Sequence, residues 1–254
     1  MAIKLYGSWF STFARKVALG LDLKRLAYEP IDALTRESHD ELTRLNPRAE
    51  VPVLVDGGIT VVNSADILQY LEWRYPERAL YPADIAARVA ARALERLADH
   101  RFDPLVVDCS FWHWAERDDK PPAGLHAAGQ RDLEHVLARL ENELAARSKP
   151  WPFGAPGVVE CAWFPNLVAA RPLGFKIDET RFPFVDGWLR AMRAHPVFAA
   201  DAKRTASFLK TLKDSSHERR RLFWSGDRIE WLLARGFHRW LFAEIEAGRA
   251  IFPD

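Results

Sequence analysis

The chain has 254 residues, 48% of them hydrophobic and 28% charged, with a formal net charge of +1. That is enough apolar material for one or two ordinary cores, and the near-balanced charge gives no electrostatic reason to expect a nucleic acid, a membrane surface or a highly charged partner. Cys109 and Cys161 fit neither a disulfide framework nor a metal spacing, which suits a reducing cytoplasm, and neither a signal-peptide core nor a bilayer-length apolar run is expected.

Residues 2–6 and 27–31 read as short strands. Thr12 to Leu23 has helical spacing through Phe13, Val17, Leu19 and Leu21, and a second helix is expected from Ser38 to Leu45. The most informative stretch is Glu50-Val51-Pro52-Val53-Leu54-Val55-Asp56-Gly57-Gly58. Pro52 has no N–H for a ladder, so it belongs at the strand entry, where a turn or a cis bond fits, and it leaves the Val51 backbone open to an extended peptide ligand. The Asp56-Gly57-Gly58 hairpin returns the chain as Ile59 to Val62, and Ser64 opens a helix whose N-terminus suits a carboxylate. Together these elements make a βαβ unit joined to a ββα unit, an α/β thioredoxin-like arrangement lacking Cys-x-x-Cys.

Pro76, Tyr81 and Pro82 mark a connection, after which the pattern is all-helical. Helices are expected over Ala86 to Asp108, His126 to Arg147, from Gly157, over Phe184 to Ala194 and over Pro196 to Leu212, with a polar break at Asp118 to Gly124. In the tail, Ile229, Leu232, Leu233, Gly236, Phe237, Trp240 and Leu241 fall on one helical face, with Asp227 as its cap. That helix either docks on its own helical domain, or closes over an active site or joins a dimer interface. Arg219-Arg220-Arg221 reads as a solvated run among Asp214, Glu218, Asp227 and Glu230. The expected division is 1–76 thioredoxin-like, 77–83 linker, 84–212 an all-α helical bundle, and 213–254 a helical extension packed on it.

Leu45-Asn46-Pro47, Val51-Pro52-Val53-Leu54, Asn63-Ser64-Ala65-Asp66-Ile67-Leu68 and the loop Trp9-Phe10-Ser11-Thr12-Phe13-Ala14-Arg15-Lys16-Val17 together resemble the glutathione transferase family, in its serine-type form, to about position 204. The resemblance implies that glutathione is the co-substrate. Its thiol, with a reference pKa near ~8.5, needs help to ionise at neutral pH. A hydroxyl at a helix N-terminus supplies a donor and a favourable dipole, which makes Ser11 the catalytic candidate, with Ser8 the rival and a plain helix cap the alternative. Arg15 either adds positive field there or is an ordinary surface arginine.

The resemblance further implies that Val51 pairs its backbone with the cysteinyl part of glutathione, that Pro52 holds a cis turn, and that Asn63 and Ser64 bind the γ-glutamyl carboxylate. Glu50 stands where a basic or amide residue is common near the glycyl carboxylate, so it weakens glutathione binding unless Arg36, His39 or Arg48 compensates; the alternative is that those three are plain loop surface. Gly157 and Glu160 occupy the place of a Ser/Thr-x-x-Asp capping box, which predicts a slightly weaker helix start. The family places the acceptor pocket between the first loop and the first long helices, giving Trp9, Phe10, Phe111, Trp112 and Trp114 as candidates for an apolar wall, with core packing the alternative, and His113 an acid–base group or a packed residue.

The function so implied is conjugation of glutathione to a small hydrophobic electrophile, by a cytoplasmic homodimer that binds no nucleic acid, membrane or metal. The dimer is expected to form through the helix from Ser64 and the first long helix of the second domain. Absence of a Ser-Ser-Cys loop speaks against the maleylacetoacetate isomerase branch. Glutathione-dependent ether cleavage or dehalogenation, and a catalytically silent binding module, are the alternatives.

Overall fold

A computed structural model describes the chain except Met1, Leu34, residues 115–118, 212–220, Trp224, Ser225 and residues 253–254; the side chains of Arg36, His113, Trp114, Arg221 and Leu222 also lie outside the described residues. The N-terminal part runs β1 (Ile3–Gly7), α1 (Thr12–Lys24), β2 (Tyr28–Asp32), α2 (Arg36–Leu45), β3 (Val53–Asp56), β4 (Ile59–Val62) and α3 (Ser64–Arg74). The sheet order is β2-β1-β3-β4, with β1 parallel to β2 and β3 antiparallel to both β1 and β4.

Alternation along the strands builds two cores. Ile3, Leu5 and Leu54 join Val17, Leu21, Ile67 and Leu68 on the face covered by α1 and α3, while Tyr6 and Val53 meet Leu42 of α2 on the other. Tyr6 also donates its hydroxyl to Glu41 at 2.7 Å. Close packing fixes the start of α1 against β1, because a Cβ on Gly7 would come within 2.7 Å of the Ala14 Cβ.

The helical part runs α4 (Ile85–Leu97), a π-helical turn (Ala98–Phe102), α5 (Asp103–Trp114), α6 (Leu125–Ala145), α7 (Val158–Ala170), α8 (Pro183–Ala194) and α9 (Pro196–Thr211). The break in the first long helix is therefore at 98–102 rather than at Asp108. Pro104, which has no N–H to give to the preceding turn, follows directly on that wider turn. Helix α7 is the centre of this part, with Cys161, Ala162, Trp163, Phe164 and Leu167 fully buried. Its start is closed differently from a capping box. The Glu160 Oε2 accepts from Gly157 N at 2.8 Å, Gly157 has no hydroxyl to offer in return, and the Leu80 carbonyl accepts from the first helical N–H, that of Val158, at 3.0 Å. A Cβ at Gly157 would lie 2.3 Å from that oxygen, so the linker itself requires glycine here.

The tail forms β5 (Arg221–Leu222), α10 (Gly226–Ala234), α11 (His238–Glu246) and β6 (Ala250–Ile251), with β5 and β6 parallel. Two helices stand where one was expected, because Gly236 takes φ 83 and turns the chain. Asp227 is not the residue before the helix, as expected of its cap, but stands inside the first turn of α10, where its Oδ2 is 2.8 Å from His100 Nδ1. Arg228 is buried against Asp108 at 2.8 Å, and Asp132 of α6 accepts from Trp231 and Arg235. Arg219 and Arg220 lie outside the described residues. No described helix is long and apolar enough to cross a membrane.

Candidate functional site

The sheet register brings the sequence-predicted glutathione residues to one end. Gly7 ends β1 opposite Asp32, the end of β2. Tyr6 is opposite Val53, the start of β3, and Val53 is opposite Val62, the end of β4. The loop carrying Ser8 to Ser11, the Val51–Pro52 turn, Asn63 and Ser64 all continue from that same sheet end.

Ser11 is the N-cap of α1, in extended conformation, and its Oγ accepts from Ala14 N at 3.2 Å. A serine hydroxyl has one donor and two acceptor positions, so capping leaves the O–H to be given to another group. Ser8 differs. It is buried, its Oγ accepts from Phe10 N at 3.2 Å, and its carbonyl accepts from Ser11 N at 3.0 Å, so it shapes the turn.

The Val51–Pro52 bond is cis, and Val51 lies just outside the ladder that starts at Val53. Asn63 takes φ 71 and accepts from Ala65 N at 3.0 Å, which caps α3 with its own side chain, while Ser64 is buried in the first turn. The positive φ aims the chain between strand and helix in a conformation that asparagine tolerates better than most residues. Glu50 is not left as a bare like charge: Arg48 Nη2 reaches its Oε1 at 2.8 Å and Arg48 Nε at 2.9 Å. His39 is exposed on α2, and the side chain of Arg36, also on α2, lies outside the described residues.

Arg15 is neither a field source for the loop nor a surface residue. It is buried against Asp201 of α9, with Nη2 to Oδ2 at 2.6 Å. The apolar wall also needs correction. Phe10 is 41% exposed and Phe111 only 1%. Phe111 packs edge-on against Trp112, which in turn meets Trp240 of α11 at 5.6 Å between ring centroids. Phe111 and Trp112 thus form the seam between α5 and the tail instead of an open wall, because the tail supplies the apolar cover. Trp114 ends α5, and its side chain, like that of His113, lies outside the described residues.

Sequence reasoning missed the wall that Trp9 does have. An open groove of about 460 Å³ is lined by Trp9 and, from α9, Lys203, Arg204, Ser207, Phe208 and Thr211. The Arg204 guanidinium lies 4.7 Å from the Trp9 ring centre and pairs with Asp22 at 2.5 Å. Periodicity shows that α9 has an outer face, but not that this face meets Trp9.

Residues 5–79 match the family model for the glutathione S-transferase N-terminal domain. The chain is 31% identical to maleylacetoacetate isomerase from Anaeromyxobacter dehalogenans, solved with bound GSH in its active site, over 79% of this chain and 94% of that one, with a TM-score of 0.63. The chain belongs to the glutathione transferase family. A probable maleylacetoacetate isomerase of Vibrio cholerae is 29% identical over 80% of this chain and 96% of its own length. A Tau class glutathione S-transferase from mango shares the fold, with a TM-score of 0.69 at 22% identity over 83% of this chain and 98% of its own. Among the described residues of this transferase-family chain no group of side chains is arranged to hold a metal ion.

Proposed function

We propose that this chain is a glutathione transferase in which Ser11 donates to the glutathione sulfur and stabilises it as the thiolate, which then attacks a small hydrophobic electrophile. The observation that carries the reading is the placement of Ser11: an N-cap hydroxyl whose acceptor side is used by Ala14 N, at the end of the sheet where Val51 and Ser64 also stand. The partial positive charge of the α1 N-terminus favours an anion at the same point. Val51 pairs with the cysteinyl backbone, while Asn63 and Ser64 at the α3 N-terminus take the γ-glutamyl carboxylate. Arg48, by neutralising Glu50, removes the repulsion that a glycyl carboxylate would meet, and Arg36 and His39 of α2 border the same end. Trp9 and the outer face of α9 receive the electrophile, with the exposed Phe10 next to Trp9 in the same loop.

In this reading residues 1–76 bind glutathione, 84–212 form the helical domain and 213–254 cover it, in the cytoplasm. The protein is a homodimer. Trp73 on α3 and Ile85 and Val89 on α4 are 74%, 80% and 65% exposed, an apolar set that a second copy would cover.

Calorimetric titration with glutathione tests the reading. Binding at millimolar concentration or tighter is expected, and lack of it would favour a silent interaction module. A second reading is cis–trans isomerisation by reversible addition of the same sulfur, for which the likeness to proteins named maleylacetoacetate isomerase speaks. Recovery of glutathione unchanged after turnover of such a substrate separates it from conjugation.

A further inference from the structure

Asp103 opens α5, is buried, and its Oδ1 is 2.5 Å from the hydroxyl of Thr12. Thr12 is the first residue of α1 and follows Ser11 directly. A buried carboxylate is ordinarily held by a cation. Here the neighbouring cations are committed elsewhere: Lys16 of α1 to Glu95 and Asp99, and Arg228 of α10 to Asp108. Among the other charged groups on elements packed against α5, His100 and Arg101 on the π turn pair with Asp227 and Glu230 of α10, Asp132 and Glu134 on α6 pair with Arg235 and Arg181, and Glu160 on α7 is bonded to Gly157 and Trp188.

We propose that Asp103 is a positioning residue for the sulfur site: through the Thr12 hydroxyl it fixes the first turn of α1, and its charge is coupled to that of an anion bound at Ser11. This rests on the Ser11 reading. Pinning follows from geometry, since the Thr12 side chain ties the first residue of α1 to α5, whereas the Ser8 turn, the Ser11 cap and the Gly7–Ala14 contact hold that helix end only to its own loop and β1. Coupling follows from charge. A buried carboxylate bonded to the residue next to Ser11 opposes a second anion there. Burial, with Asp99 and Asp108 adding to it against Thr12 and Arg228, pushes the Asp103 pKa up to about 7. Near neutral pH the proton can therefore sit on Asp103. The carboxyl then gives its hydrogen to the Thr12 oxygen, which keeps the contact while removing the opposing charge.

The test is the pH titration of the ultraviolet thiolate absorbance of bound glutathione, with affinity read by calorimetry. Asp103→Asn keeps a hydrogen-bonding partner for Thr12 and loses the charge; its thiol is expected to titrate in one step, about one unit lower, a tenfold gain in acidity. Thr12→Val loses the contact and keeps the charge, so with similar glutathione affinity its thiol pKa should move up toward the free value; Asp103→Leu loses both and should fall between Thr12→Val and Asp103→Asn, with the double variant matching Asp103→Leu. Thr12→Val is the mild variant should Asp103→Leu fold poorly. Glutathione bound normally with all three titrations superimposed on the unaltered protein's would overturn the role of Asp103 alone. Failure of the unaltered protein to bind glutathione would overturn the Ser11 reading and this inference together.

Discussion

Arg15 on α1 and Asp201 on α9 form a two-pronged ion pair shut off from water: Nη2 and Nε of Arg15 lie 2.6 Å and 3.2 Å from Oδ2 of Asp201. The pair ties the thioredoxin-like part to the helical part at the helix that carries the candidate serine. Removing one partner leaves a buried charge without compensation, which costs about 3–5 kcal/mol. Arg15→Ala and Asp201→Ala are each expected to lower stability by that order in denaturant unfolding, and the double variant by clearly less than the sum. A loss of under ~1 kcal/mol, typical of exposed pairs, would show that the pair does not hold the two parts together.

Two glycines in the helical part give opposite expectations. Gly157→Ala or Gly157→Ser forces a Cβ onto the Leu80 carbonyl, 2.3 Å away, and should cost about 1–3 kcal/mol as an overpacked contact. Serine carries the same Cβ and meets the same clash with the Leu80 carbonyl. Gly187, on the exposed side of α8, has open space at its Cβ position, so Gly187→Ala should stabilise by about 0.5–1 kcal/mol. Thermal melts of the two variants test both signs.

Burial raises the pKa of Glu160 to about 7, against the hydrogen bonds from Gly157 N and the Trp188 indole that lower it. Asp103 is raised to the same value, also chiefly by burial. Both carboxyls hold a proton in the folded protein at a pH where the unfolded chain, with pKa values near ~4, has lost it. These two groups therefore make stability fall as pH rises from about 4.5 to 7, and contribute no further change above. Urea midpoints measured from pH 5 to pH 8 should decline through that window, and Asp103→Asn should flatten the decline. A midpoint rising toward pH 8 would contradict the assignment.

The pieces of the fold that were legible are those encoded locally. Pro52 at a strand entry, the Gly57-Gly58 hairpin, the Ser11 cap and the helix start at Ser64 each depend on a few neighbouring residues, and they lie within one or two residues of where the sequence puts them, although the cap of that last helix is Asn63. What was not legible is long-range. Thr12 and Asp103 are 91 residues apart, and Arg15 and Asp201 are 186 apart. Periodicity places such residues on a face but does not name the opposite partner. The tail was misread as one helix because Gly236 fits the apolar stripe in spacing, while its positive φ ends α10. Phe111 and Trp112 were misassigned for a related reason: an aromatic cluster looks the same in sequence whether the chain's own Trp240 covers it or a ligand does.

Trp73 on α3 and Ile85 and Val89 on α4 are exposed, and the proposed second copy would cover them. Sedimentation at micromolar concentration should give a dimer, and Ile85→Glu with Val89→Glu a monomer of unchanged helical content. A monomer in the unaltered protein would remove the dimer from the proposal and leave the serine site untouched.

The tail is anchored unevenly, which separates its contacts experimentally. Arg228 and Asp108 are both buried, whereas Arg235 is about half exposed beside Asp132. Arg228→Met is expected to release α10 and cost about 3–5 kcal/mol, while Arg235→Ala should cost no more than ~1 kcal/mol. Equal effects in denaturant unfolding would contradict this ranking.

The central claim is that the Ser11 hydroxyl holds a sulfur anion, and the direct measurement is the thiolate absorbance of glutathione bound to the unaltered protein, to Ser11→Ala and to Ser8→Ala. The account predicts a bound thiol ionised well below its free pKa, loss of that absorbance at pH 7 in Ser11→Ala with glutathione still bound, and retention of it in Ser8→Ala. Full thiolate absorbance in Ser11→Ala would contradict it.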